Sequence, residues 1–314
     1  MNQKQKLKVP AIEVSIIIIS YNVQKYLIQC IKSILHHTNK KFKYEIIVID
    51  NHSNDDTEKE VKQWYPLINY IQNSENIGFT KAMNQAINKS KGRYIFQLNP
   101  DTELVEDSIL KLHQYASNND NPKIIGPEII DEKGRVEPSY WRAPTLLSTI
   151  LSLSNLEFII NQFRKIENPT KPIKVESISG AAMFYQTSII KKIGLFNESL
   201  FWDEDIDFCL RAEKKGYNIV FFPHTHLIHK KGKSAATNQK VAIANQVLSK
   251  IKFFKIHHSW ISQIIIKIFC LAIIPIKALL YLFISLWKPL FLKKATAYFF
   301  TWRLLIKRDY RIQL

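Results

Sequence analysis

The sequence predicts an α/β fold on an open, mostly parallel sheet, followed by a basic, apolar helical tail. Three observations lead there. Short β-branched runs alternate with helical periods over roughly the first hundred residues, the signature of consecutive βαβ units. Polar residues cluster just after those runs, where an open parallel sheet presents its ligand-binding edge. From Lys250 onward twelve Lys or Arg face the single acid Asp309, so +11 of the net charge of +17 belongs to the tail.

The elements follow in order. VSIIIIS at 14–20 is too short for a free-standing helix and reads as a strand buried on both faces. Helical spacing covers 23–37, YEIIVID (44–50) is a second buried strand, 55–65 is helical, and LINYIQN (67–73) is a third strand. A helix over 78–88 precedes a fourth strand, RYIFQLN (93–99). Past Asp101 the alternation fades into a hairpin-like EIIDEKGRVEPS, a variable stretch over 141–172, and strand-like VESISGAAMFYQ. A helix begins within 201–217, and YNIVFF leads into FFPHTHLIHKKGKS.

At 314 residues, 46% hydrophobic and 23% charged, the chain is long enough to bury one large core or two modest ones. Cys30, Cys209 and Cys270 lie far apart with no CxxC pair, which suggests neither a disulfide framework nor a structural metal knot, and fits a reducing compartment. The basic start MNQKQKLKVP lacks the apolar core and cleavage site of a signal peptide, and none is expected. No GxGxxG follows the first strand and no GxxxxGK[ST] occurs, so neither a dinucleotide fold nor a phosphate-loop ATPase is supported.

In the tail, ISQIIIKIFCLAIIPIKALLYLFISLWKPLFL is broken by Lys267, Lys277 and Lys288, which fall within about 80° of one helix face. Trp260, Tyr281, Trp287 and Trp302 add headgroup-seeking aromatics, and no uncharged run is long enough for a confident membrane span. Charge flanking long apolar runs predicts a membrane surface as partner and no nucleic acid. The competing expectation is a pair of core helices packed on the α/β domain. Acids vanish near 250–258, so the expected division is 1–255 and 256–314.

Four groups of residues carry candidate chemistry. Asp50, Ser53, Asp55 and Thr57 end the second strand; a carboxylate there can accept the imide N–H of a uracil or thymine ring, and the same residues also serve as ordinary helix caps. Asn99-Pro100-Asp101 ends the fourth strand, where one aspartate with substrate phosphates suffices for a divalent ion, although the tripeptide is equally an ordinary turn. Asp203, Glu204, Asp205 and Asp207 crowd one helix start. A cap needs only one or two acids, so one carboxylate here can act as general base while others meet acceptor hydroxyls or basic groups; the alternative is a solvated acidic first turn. Strand alternation sends His224 and His226 one way and His229 the other, so the three are not a ready-made metal site.

Taken in order, SIIIISYN, EIIVIDNHSNDDT, ENIGFTKAMNQAI, FQLNPDTEL, ISGAAMFYQTSIIKKIGLFNESLF, WDEDIDFCLR and FFPHTHLIHKKGKS resemble the inverting glycosyltransferases of family 2 that include bacterial rhamnosyl- and galactofuranosyltransferases. The resemblance spans roughly residues 13–235 and implies a GT-A fold, with 1–255 as the catalytic domain. It implies that Tyr21 and Asp50 contact the nucleotide base and that Asp101, last in a DxD-like motif, binds Mn2+ or Mg2+ with His229 as second ligand. Asn99 replaces the motif's first aspartate, so metal binding leans on Asp101. Asp205 is implied to be the catalytic base, Glu204 and Trp202 to shape the acceptor site, and Gly180 and Ala181 to let backbone approach the sugar. Lys81 and Arg211 are candidate secondary cations. The implied partners are a nucleotide-sugar donor of the dTDP-rhamnose or UDP-hexose type and a glycan or lipid-linked acceptor in cell-surface polysaccharide synthesis. The implied location is peripheral, at the cytoplasmic face of the membrane, and an oligomer stays open. The alternative from another class is a catalytically silent nucleotide-sugar-binding scaffold, against which intact Asp101, Asp205 and His229 argue.

Overall fold

Seven consecutive buried residues, Val14–Ser20, form the strand β1 in the interior of the sheet. In the computed structural model, which describes residues 12–38, 43–118, 123–156, 169–230 and 239–307, β1 lies between two parallel neighbours, β2 (Tyr44–Asp50) and β4 (Tyr94–Leu98). β3 (Asn69–Gln72) extends the sheet beyond β2, also in parallel. The connecting helices are α1 (Gln24–His37), α2 (Thr57–Trp64) and α3 (Phe79–Lys89). α1 buries Leu27, Ile28, Ile31 and Ile34, the three-and-four spacing that lays one helix face on a sheet. These elements match the expected spans apart from their ends. The basic start 1–11, part of the variable stretch (157–168), the KGKS of the histidine block (231–234) and the terminal 308–314 lie outside the described residues.

Beyond Asp101, where the sequence pattern fades, regular structure continues. In order come β5 (Thr102–Leu104), α4 (Ser108–Ser117), β6 (Lys123–Ile130), β7 (Val136–Glu137), β8 (Tyr140–Trp141) and α5 (Leu146–Leu153). Then follow β9 (Ile173–Lys174), β10 (Ser177–Ile178), β11 (Ala182–Gln186), α6 (Ile190–Ile193), α7 (Glu204–Lys214) and β12 (Asn218–His229). The main sheet runs β3-β2-β1-β4-β11-β6-β12-β5. β11 is antiparallel to both β4 and β6, and β12 is parallel to β6. β5 pairs antiparallel with β12, setting Thr102 opposite His229, so residues more than a hundred positions apart meet just past the end of β4.

Three helices close the chain: α8 (Gln239–His257), α9 (Trp260–Ser285) and α10 (Phe291–Ile306). Their inner faces form one apolar cluster that includes Val247, Leu248, Ile251, Phe254, Ile266, Cys270, Ile274, Leu304 and Leu305. Leu200, ahead of the acidic segment, and Ile206, within it, belong to the same cluster. The expected division at 255 therefore falls inside α8, and the two parts share a core.

The lysine stripe of the tail is corrected by the structure. Lys277 is only 8% exposed, and its Nζ donates to Leu153 O (2.9 Å) and Asn155 Oδ1 (2.8 Å), capping the negative C-terminal end of α5. Lys288 follows the end of α9 rather than sitting on it. The buried stripe is Ile266, Cys270, Ile274, Lys277 and Ala278, so the lysine face at its middle turns toward protein. What α9 exposes instead is apolar: Ile268 is 61% exposed and Phe283 60%, with Trp287 at 68% and Leu290 at 75% just beyond its end. α9 has 26 residues, long and apolar enough by length and composition to cross a membrane. The absence of a long uncharged run in the sequence is thus outweighed by a lysine whose charge is met inside the protein.

Candidate active site

Asp50 ends β2 and is fully buried. Its Oδ1 accepts from Ser53 N (3.0 Å) and Ser53 Oγ (2.6 Å), and its Oδ2 accepts from the Tyr70 hydroxyl. Ser53 Oγ accepts in turn from Asn22 N (2.8 Å), and Asn54 N donates to Asn22 Oδ1 (2.8 Å), stitching together the loops that follow β1 and β2. Tyr21, half-buried, lies in the first of these loops. Asp55 accepts from Thr57 N at 3.2 Å, the local capping bond that its residue type allows. Here Asp50 faces hydroxyls of the protein rather than open space.

Asp101 stands two residues past Asn99 and is 2% exposed. Asn99 N donates to Ala181 O (2.9 Å), and Thr102 Oγ1 closes the turn onto Asn99 O (2.7 Å). His229 Nε2 lies 3.3 Å from Asp101 Oδ1, but the pair is not aligned as a hydrogen bond, and among the described residues neither buried Asp101 oxygen has a hydrogen-bond partner. Burying an unmet polar group costs about 1–3 kcal/mol, more for a charge. Asp101 with His229 is a donor set of one carboxylate and one imidazole, and among the described residues no third metal-ligating side chain joins them. That set suits an octahedral cation whose other positions are filled by substrate phosphates and water. His226 is instead beside Glu106 (3.6 Å), and His224 is exposed, so the three histidines do separate as the strand alternation requires.

The acidic segment divides in two. Asp203 Oδ1 accepts from Lys250 Nζ at 2.6 Å. Asp207, fully buried, is held by Arg211 (2.8 Å) and by His257 Nε2 (2.8 Å). Burial alone would raise the Asp207 pKa; the His257 hydrogen bond and the Arg211 charge outweigh it and leave the pKa below the usual value. Arg211 also donates to Ile193 O and Leu195 O, so it is fully engaged and is no free cation for a substrate. Lys81 is exposed on α3.

Among the described residues no such cation stands against Glu204 or Asp205. Asp205 Oδ2 accepts from Gly180 N (2.9 Å) and its Oδ1 from Ile206 N (2.8 Å), while Glu204 Oε2 is buried with no partner. Burial raises the pKa of Asp205, opposed by the Gly180 N–H and aided by the Asp203 charge. Burial and then the Asp205 charge raise that of Glu204. The solvated acidic turn is thereby excluded.

The two halves of the site meet at one peptide. Gly180 N donates to Asp205, Gly180 O accepts from Gln97 Nε2 (2.7 Å), and the next residue, Ala181, holds Asn99. A Cβ on Gly180 would stand 3.2 Å from Gln97 Nε2 and 3.4 Å from Asp205 Cβ, so this crossing has room for little more than backbone. Trp202, 39% exposed, stands three residues before Asp205. Sequence reasoning missed Gln97, Ser249, Lys250 and His257; a glutamine in an otherwise apolar buried strand was the one legible sign.

Residues 15–194 match the family described as Glycosyl transferase family 2. The chain is 34% identical over 129 residues to the poly(ribitol-phosphate) beta-N-acetylglucosaminyltransferase TarP of Staphylococcus aureus, covering 40% of this chain and 39% of that protein. It is 25% identical over 238 residues to the N-acetylglucosaminyl-diphospho-decaprenol L-rhamnosyltransferase of Mycobacterium tuberculosis, covering 68% of this chain and 75% of that one. Among solved structures, GalNAc-T7 with UDP, GalNAc and Mn2+ superposes with a TM-score of 0.56 at 19% identity, over 78% of this chain and 50% of that one. S. aureus TarS gives 0.52 at 18%, over 79% and 44%. These last likenesses establish the GT-A fold.

Proposed function

The chain belongs to glycosyl transferase family 2, and from that premise we propose that it is an inverting, metal-assisted transferase of cell-surface polysaccharide synthesis. The donor is a nucleotide-diphosphate sugar of the dTDP-rhamnose or UDP-hexose type, and the acceptor a hydroxyl of a glycan or lipid-linked sugar. The observation that carries the proposal is the juxtaposition, across Gly180 and Ala181, of a buried Asp101 with an Asp205, the first without a hydrogen-bond partner and the second without a cation among the described residues.

Asp205 takes the proton from the acceptor hydroxyl, whose oxygen attacks the anomeric carbon as the bond to the diphosphate breaks on the opposite side; one displacement inverts that centre. Its raised pKa suits the task, since a base near the working pH is the efficient one. Asp101 and His229 would hold a Mn2+ or Mg2+ ion, which when bound would supply positive charge for the departing diphosphate. Asn99 shapes the turn that presents Asp101. Tyr21 flanks the base, and Asp50 acts there through the Ser53 and Tyr70 hydroxyls that it orients. Gly180 gives the sugar room, while Trp202 and Glu204 line the acceptor side.

The exposed apolar surface of α9, with Trp287, Lys288 and Lys293 beside it, supports peripheral attachment to the cytoplasmic face of the membrane, next to a lipid-linked acceptor. The division into a catalytic part (1–255) and an attachment part (256–314) is kept as a functional one, because the two parts share a core. Incubating the full chain and Mn2+ with dTDP-rhamnose, UDP-hexoses and polyprenyl-diphospho-sugar acceptors, and reading the product anomer by NMR, tests the proposal. A product of opposite anomeric configuration to its donor is expected. Retention of configuration overturns the mechanism.

A further inference from the structure

Two neighbours on α8 grip the turn that precedes α7. Ser249, 2% exposed, offers its Oγ to the backbone N–H groups of Phe201 (3.0 Å) and Trp202 (3.4 Å). Lys250 sets its Nζ 2.6 Å from Asp203 Oδ1, and the two side chains are only 16% and 8% exposed. Asp203 has a φ of 66°, a left-handed conformation that a residue with a Cβ adopts at a cost and keeps only when held. The helix carrying Glu204 and Asp205 starts at the next residue, so the set of this turn decides where that pair stands.

The charges around the pair make Lys250 more than a tether. α7 contributes Asp203, Glu204, Asp207 and Arg211, and α8 contributes Lys250 and His257. Gln97 and Gly180, on the sheet side, are uncharged. Arg211 and His257 both engage Asp207. Among the described residues, Lys250 is the cation paired with Asp203, whose charge otherwise pushes on Asp205.

We infer that Lys250, with Ser249 beside it, is a positioning residue for the transfer chemistry: it locks the 201–203 turn and cancels the Asp203 charge next to the Glu204–Asp205 pair. The inference rests on the reading of Asp205 as the base. It makes the C-terminal helical layer a working part of the active site as well as an attachment.

The test follows the Asp205 carboxyl carbon by NMR through a pH titration of the full chain, with the signal assigned by its loss in Asp205→Asn. In Lys250→Met the Asp205 pKa is expected to rise, on the order of one unit, because Asp203 is left unbalanced. Lys250→Arg restores the wild-type titration, and adding Asp203→Asn to Lys250→Met brings it back down. A purely structural Lys250 would lower thermal stability without moving this signal. A folded Lys250→Met protein with an unmoved Asp205 titration overturns the inference. Should Lys250→Met not fold, Asp203→Asn alone decides: the Asp205 pKa falls, or the inference fails. Failure of the base assignment is read separately, as transfer that persists in Asp205→Asn.

Discussion

Asp50 ends β2 and Asp101 lies just beyond β4, the two strands that flank β1, and they are 0% and 2% exposed, yet their surroundings are opposite. Around Asp50 every oxygen holds a donor from Ser53 or Tyr70. Around Asp101 neither oxygen has a hydrogen-bond partner among the described residues, and a histidine stands at 3.3 Å. Topology and burial are the same, so what separates the two is satisfaction. A satisfied buried carboxylate is finished architecture that organises loops. An unsatisfied one is a standing cost that a ligand can relieve.

The contrast can be broken by experiment, beginning with the largest effect. Asp205, held by two backbone N–H groups and by no cation among the described residues, should lose transfer by about 10²–10⁴-fold as Asp205→Asn, with fold and nucleotide binding kept, as removal of a general base requires. Near-normal turnover would move the base to Glu204 or Asp203. In wild-type protein the rate should fall as pH drops through the raised Asp205 pKa, because the base works only when ionised. The acidic limb of a pH–rate profile should therefore lie above the ordinary carboxylate pKa of about 4.

Next come the satisfied charges. His257→Ala should cost about 1–3 kcal/mol of stability by chemical denaturation, since it strips one hydrogen-bond partner from fully buried Asp207 and leaves Arg211 in place. The lowered Asp207 pKa places part of the folded protein's stability above it, and that part should vanish as pH falls through it. Asp50→Ala should cost about 1–3 kcal/mol, leaving Ser53 and Tyr70 unmet. The smallest effect has the opposite sign. Asp101→Asn should leave the melting temperature of metal-free protein unchanged or raised, because it removes an unmet buried charge while activity collapses. A clear fall in melting temperature would place Asp101 with Asp50, among the structural carboxylates.

The same contrast explains what was legible in the sequence. β1 to β4 and their helices could be read because whole segments repeat one period against one sheet. β5 is three residues long, and β12 carries an irregularity between Phe222 and His226, so neither announces itself by periodicity. The family pattern singled out Asp101, Asp205 and His229, but only the fold places Asp101 beside His229 through the β5–β12 register. Lys250, Ser249 and His257 act across 47 to 50 residues of chain, and no local spacing encodes that reach. Lys277 misled for a related reason: helical periodicity tells which residues share a face, not whether that face meets solvent or a carbonyl such as Leu153 O.

The most direct test of an Asp101 that awaits a ligand is a calorimetric titration of UDP and dTDP into the full chain, with Mn2+ and with EDTA, for wild type and Asp101→Ala. Wild-type protein should bind one of the two nucleotides at least about tenfold more weakly after chelation, a difference of about 1.4 kcal/mol, while Asp101→Ala should bind it weakly and without regard to metal. Equal affinity in all four conditions would contradict the account, and Asp101 would be a buried carboxylate with no ligand to meet.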